Sequence, residues 1–140
     1  MKTYNHRVHY YETDKMGVTH HSNYIRWMEE ARVFFLDSIG WSYKKLEDNG
    51  IISPVTEVEC KYVASTTFDD EITIEVSIVE LRSVKISIEY VMKNQEDKVV
   101  CKGRSSHCFL DDKGSFISIQ KLYPDFYRAL EDSMDNNNIS

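Results

Sequence analysis

At 140 residues, with 41% apolar and 29% charged side chains, the chain has the length and balance of one folded domain, which excludes a disordered or fibrous protein. A net charge of −6 excludes a broad attraction to nucleic acid or an anionic membrane, since phosphate binding takes concentrated Lys and Arg. No stretch reaches the roughly 18 apolar residues of a membrane helix, and Met1 to His6 lacks the apolar run of a signal peptide, so a cytoplasmic protein without membrane insertion is expected.

Cys60, Cys101 and Cys108 form an odd set with no Cys-x-x-Cys pair, which reads as reduced thiols on strands. Lys2 to Tyr11 is expected to be a strand, with Tyr4, His6, Val8 and Tyr10 on one parity. The loop Glu12 to His21 contains Gly17 and closes at Ser22 and Asn23, both good residues to start a helix. From Ser22 to Ile39, Tyr24, Trp27, Met28, Ala31, Phe34, Phe35 and Ile39 recur at spacings of three and four, predicting one long amphipathic helix that ends at Gly40. Four strand-like runs follow a short linker: Ile52 to Ala64, Glu71 to Leu81, Val84 to Lys93 and Lys98 to Leu110. Polar turns at Asp69-Asp70, Arg82-Ser83, Asn94 to Asp97 and Asp111 to Gly114 separate or close them. Tyr123 to Asp132 is expected to form a short terminal helix.

The predicted fold is therefore α+β, a curved five-stranded antiparallel sheet packed around one long helix, with residues 1–134 as a single domain and 135–140 as a frayed tail. One helix covers only part of such a sheet. Apolar surface is left for a second copy, so a homodimer is expected as the minimal unit and a homotetramer is compatible with the same contact.

Chemistry concentrates between Tyr10 and Tyr24. This stretch holds a carboxylate, Asp14, histidines at 20 and 21, and a helix start whose free N–H groups and positive end suit an oxygen gaining negative charge. The pattern Tyr-x-x-x-Asp-x-x-Gly-Val-x-x-His-x-x-Tyr, at Tyr10, Asp14, Gly17, Val18, His21 and Tyr24, resembles the signature of the 4-hydroxybenzoyl-CoA thioesterase family. Within it, the likeness is strongest to the small bacterial acyl-CoA thioesterases associated with the Tol-Pal cluster. It continues through Arg32, the Glu59-Tyr62-Ala64 region and Asp69-Asp70.

The resemblance implies a hot-dog fold and an acyl-CoA thioesterase in which Asp14 is the catalytic carboxylate, acting as nucleophile or as general base on water. It places the oxyanion at the backbone N–H of His21, with the imidazole orienting Asp14 or the water. Tyr10, four residues before Asp14, is expected to donate its hydroxyl to the carboxylate. CoA enters as part of the substrate and no other cofactor is expected; an acyl-carrier protein is the alternative donor. Candidates for the CoA phosphates are Lys61, Arg82, Ser83, Lys85, Lys102 and Arg104, with Arg82 and Ser83 preferred because a turn exposes side chains and free N–H groups.

Simpler readings compete with each assignment. An aspartate before a glycine often closes an Asx turn. His6, His9, His20 and His107 raise the question of a metal, but no His-Glu-x-x-His or cysteine pairing accompanies them, and none is expected. A hydratase or dehydratase on the same fold needs an acid and a base across a carbon-carbon bond, often aspartate and histidine five residues apart, whereas His20 and His21 lie six and seven from Asp14. A non-catalytic acyl-CoA-binding module is the remaining alternative.

Overall fold

Strands that alternate Ile72, Ile74, Val76 and Ile78, or Ile86, Ile88, Tyr90 and Met92, against polar residues turn one face inward, and all eight of these side chains are buried. The structure, a computed structural model, describes residues 2–138. Its strands are β1 (Lys2–Arg7), β2 (Val55–Tyr62), β3 (Glu71–Leu81), β4 (Lys85–Lys93) and β5 (Val99–Cys108). They form one five-stranded sheet in the order β1-β3-β4-β5-β2, with every neighbouring pair antiparallel. The expected α+β class and the central strands agree with the sequence reading.

The helix α1 (Ser22–Ser38) lies against the inner face of this sheet and buries Tyr24, Trp27, Met28, Ala31 and Phe35. Phe34 departs from expectation. It points outward and packs its ring against Tyr4 at 5.4 Å, because a stripe of three-four spacing is narrower than the set of apolar residues on this helix. Gly40 ends α1 at φ 85, and the Trp41 N–H reaches back to the Leu36 carbonyl at 3.0 Å, a left-handed C-terminal cap.

Three further helices differ from the sequence expectation. α2 (Tyr43–Asp48) occupies the linker after α1, capped by the Ser42 hydroxyl accepting the Lys45 N–H and anchored by the buried Leu46. The expected terminal helix is split into α3 (Ile119–Leu122) and α4 (Pro124–Asn138), the latter starting at a proline that suits a first helical turn. Phe126 and Leu130 of α4 are buried, and Phe126 packs on Trp41 and Phe109 to close the core beyond the end of α1. Helical backbone continues to Asn138, and the frayed tail expected from Asp135 falls in part on residues 139–140, outside the described residues.

Helix and sheet approach closely at Gly103 of β5, where a Cβ would stand 2.8 Å from the Met28 sulfur. This strand position takes glycine because α1 leaves no room for more. Gly103→Val is expected to cost about 1–3 kcal/mol of unfolding free energy in urea, as overpacking does. Combined with Met28→Ala, the losses should fall short of their sum; strict additivity would show that the contact is not limiting.

Candidate active site

The chain leaves β1 and does not run on as the expected strand to Tyr11. It turns in a single 3-10 turn at Tyr10–Glu12 because the Glu12 carboxylate folds back onto the His9 N–H at 2.7 Å. Glu12 is 5% exposed and fully engaged: Oε1 also meets His6 Nε2 at 2.9 Å, and Oε2 accepts the Trp27 indole N–H at 2.7 Å. His6 in turn places Nδ1 3.1 Å from Glu30 of α1, which also accepts the Tyr4 hydroxyl at 3.3 Å. Burial works to raise the Glu12 pKa, but the hydrogen bonds from His9, His6 and Trp27 outweigh it and hold the carboxyl below its ordinary value.

Beyond Glu12 the chain forms a small turn. The Asp14 N–H donates to the Val18 carbonyl at 2.9 Å, the Gly17 N–H donates to the Asp14 carbonyl at 3.0 Å, and Gly17 takes φ 80, a conformation that favours glycine. Asp14 Oδ1 accepts the Met16 N–H at 2.8 Å, so the residue does close an Asx turn. Its Oδ2 accepts no hydrogen bond among the described residues, and the side chain is exposed. Thr67 fixes this loop by donating to the Gly17 carbonyl at 2.9 Å, and Thr19 pairs with Thr66 through backbone and hydroxyl. The Asn23 amide, buried at the start of α1, donates to the Glu12 and His20 carbonyls and ties loop to helix.

An open groove of about 610 Å³ runs over this junction, lined by Tyr10, Asp14, His20, Ser22, Asn23 and Arg26 among others. It brings Asp14 to the start of α1. The two adjacent histidines stack there, their ring centroids 4.3 Å apart. His20 lines the groove, with Nδ1 accepting the Ser22 N–H at 3.2 Å, and the His21 ring also packs edge-on against Tyr62 of β2. The His21 carbonyl accepts the Tyr62 hydroxyl at 3.3 Å, and the His21 N–H has no acceptor among the described residues. Tyr10 shares the groove with Asp14, but its ring is 76% exposed, lies edge-on to Phe68 and makes no hydrogen bond to the carboxylate.

Arg82 and Ser83 lie elsewhere. They occupy the β3–β4 turn, at the far end of an 11-residue strand from the Asp14 loop, which is roughly 34 Å at the usual strand rise. Arg82 pairs with Glu80 at 3.2 Å, and the Ser83 carbonyl accepts the Ile119 N–H at 2.7 Å. One chain therefore does not bring this turn to Asp14. Among the histidines, His6 and His9 do converge with Glu12, their ligand atoms within 4.8 Å of one another. The hydrogen bonds already made by His6 and Glu12 account for that cluster.

A model of the thioesterase-like superfamily matches residues 8–130. The chain belongs to this superfamily. It is 36% identical over 118 residues to a protein of Aquifex aeolicus named "Putative esterase", covering 84% of this chain and 91% of that one. To "Putative acyl-CoA thioesterase YneP" of Bacillus subtilis it is 32% identical over 126 residues, covering 89% and 91%. The solved structure of a DHNA-CoA thioesterase from Staphylococcus aureus superposes with a TM-score of 0.91 at 27% identity, covering 97% of this chain and 92% of that one. The hot-dog fold implied by the Tyr10 to Tyr24 motif is thus the fold of this family member, and it carries a thioester-hydrolase scaffold. Among the described residues no helix is long and apolar enough to cross a membrane.

Glu12 is the group that sequence reasoning passed over, and its role has a pH signature. A carboxyl held below its ordinary pKa stabilises the fold above the unfolded value and loses that contribution as pH falls through the folded one. Glu12→Gln should therefore lower the melting temperature near neutrality and flatten its decline between about pH 5 and pH 3. Parallel curves for variant and wild type would remove Glu12 as an acid-sensitive anchor.

Proposed function

We propose that the protein hydrolyses acyl-CoA thioesters to a free acid and CoA in the groove between the Asp14 loop and the start of α1. The observation that carries this reading is the exposed Asp14 carboxylate, one oxygen held and the other unspent, in one groove with the N-terminus of a 17-residue helix. The unpaired His21 N–H supports the oxyanion role of the backbone, reinforced by the helix dipole. His21's ring makes no hydrogen bond to Asp14 here; it stacks on His20 and meets Tyr62 edge-on.

Two routes balance. Asp14 Oδ2 attacks the thioester carbonyl, CoA leaves as thiolate, and water cleaves the mixed anhydride; or Asp14 takes a proton from a water that attacks directly. A thiol of pKa near 8.5 leaves readily, so no dedicated acid is needed. His20, on the groove wall, is placed to hold the water, and Tyr10 to cover the reacting group. Asp14→Asn should lose about 100-fold or more in kcat against a panel of acyl-CoAs. His21→Ala keeps the N–H and should lose far less. Equal activity in Asp14→Asn and wild type would remove the assignment, and hydration of an enoyl-CoA without thiol release would replace hydrolysis by a hydratase reaction.

The working unit in this proposal is a dimer or a larger assembly. β2 is an edge strand, and Val55, Val58, Tyr62 and the neighbouring Ile25 of α1 leave an exposed apolar strip along it. A second copy supplies both hydrogen-bonding groups and apolar surface for that strip. For Arg82 and Ser83 to hold CoA phosphates, they must do so across a subunit boundary. Val58→Lys is expected to shift the sedimentation coefficient to that of a monomer; a wild type that sediments as a monomer at micromolar concentration overturns the assembly.

A further inference from the structure

β5 turns Gly103, Ser105 and His107 toward α1, since alternate residues of a strand share a face. α1 sets Met28 against Gly103 and, one turn on, Arg32 beside Ser105 and His107. Arg32 is 5% exposed, yet it forms no ion pair and no hydrogen bond with any described residue. Its guanidinium carbon stands 5.1 Å from the centre of the Tyr43 ring, a contact that offsets part of the cost of burying a cation but supplies no acceptor. The side chain lines a cavity of about 120 Å³ between α1, β2, β4 and β5.

No described residue meets that charge with an anion. The Tyr90 hydroxyl lies 2.8 Å from Ser105 Oγ, which lies 2.8 Å from His107 Nε2, and His107 Nδ1 is buried with no partner. Burial pushes the Tyr90 pKa up to about 12, so the phenol keeps its proton. Burial first, and Arg32 second, push the His107 pKa down to about 3, so the imidazole stays neutral. Tyr90, Ser105 and His107 then carry one proton each for two hydrogen bonds, which leaves one donor over. Glu29, the one carboxylate in the lining, is exposed and does not pair with Arg32.

Two kinds of surface therefore meet in the cavity. A planar fork of guanidinium N–H groups, with a spare donor beside it, fits the two oxygens of a carboxylate. Ile25, Met28, Val55 and Val58 form apolar walls that fit a hydrocarbon tail. At roughly 30 Å³ for each water displaced, the space suits a ligand of a few heavy atoms. A phosphate monoester carries close to two negative charges and leaves one of them buried and unmatched. The cavity shares no lining residue with the Asp14 groove, so whatever it holds is held apart from that groove.

We propose that Arg32, with Tyr90, Ser105 and His107, forms a second binding site that takes a free short-chain monocarboxylate, its oxygens on the guanidinium and its tail against the apolar walls. The ligand neutralises the buried cation and, by binding the folded chain alone, stabilises it. The site stands whether or not the Asp14 groove hydrolyses thioesters, although the acid released by the hydrolysis proposed above is of the same chemical class. Ile25, Val55 and Val58 belong to the apolar strip assigned above to a second copy, so assembly closes the cavity over its ligand.

Butyrate is the probe, titrated by calorimetry into the full chain, with sodium chloride holding the ionic strength constant. Wild type should bind one butyrate per chain and melt at a temperature that rises with butyrate concentration. Arg32→Met should weaken binding by about tenfold or more, the scale of one buried charged hydrogen bond, and lose the thermal shift. Asp14→Asn should bind as wild type does. Should Arg32→Met fail to fold, Arg32→Lys, which keeps the charge without the planar fork, should show a smaller loss in the same direction. Butan-1-ol, the same tail without the charge, should not bind, and octanoate, too long for the cavity, should bind no better than butyrate. Equal affinity in wild type and Arg32→Met, or a loss confined to Asp14→Asn, overturns the proposal. A wild type that takes up no butyrate overturns it too: an Arg32→Met dimer that then dissociates more readily points to a carboxylate of the second copy in the cavity, and an unaltered dimer points to water. Thiol release from acyl-CoAs decides the thioesterase reading independently of every one of these outcomes.

Discussion

The geometry of the groove depends on one buried carboxylate. Glu12 joins three parts of the chain: the end of β1 through His6, the start of the loop through the His9 N–H, and α1 through the Trp27 indole. A carboxylate in such a place is destabilising until each of its lone pairs is met, and stabilising once it is, which makes the arrangement all-or-none. Asn23 then repeats the connection one step on, with a single amide spanning the Glu12 and His20 carbonyls. Asp14 inherits a fixed position relative to the helix end from these two residues and from the threonine pair at 19 and 66.

Much of this molecule is legible from periodicity. β3 was bounded correctly at Glu71 and Leu81, and α1 within one residue, because each carries a long repeat whose apolar face is decided by the core. α2 escaped because six residues with one buried leucine make no periodic signal. The strand predicted to reach Tyr11 stops at Arg7 for a reason that lies outside its own sequence: Glu12 reaches back for His9, and Trp27, fifteen positions along, secures it.

The site was legible at the level of its motif and not at the level of its side chains. The Tyr10 to Tyr24 stretch brings Asp14 and the start of α1 into one groove, but spacing does not reveal that His20 lines that groove while His21, stacked on it, reaches Tyr62. In sequence, Arg32 falls outside the apolar stripe of three-four spacing that predicts α1. Only the tertiary packing shows it turned inward, among donors drawn from β4 and β5 that lie more than fifty residues away in sequence.

The Asx turn at Asp14 carries a further meaning. A carboxylate in free solution is symmetric, and a half-turn about its terminal bond exchanges two equivalent oxygens. Here the Met16 N–H holds Oδ1 and breaks that equivalence, so the group has a front and a back. The lone pairs left on Oδ2 point in directions set by the loop backbone, and the residue meets an incoming electrophile as an oriented instrument whose aim was decided when the chain folded.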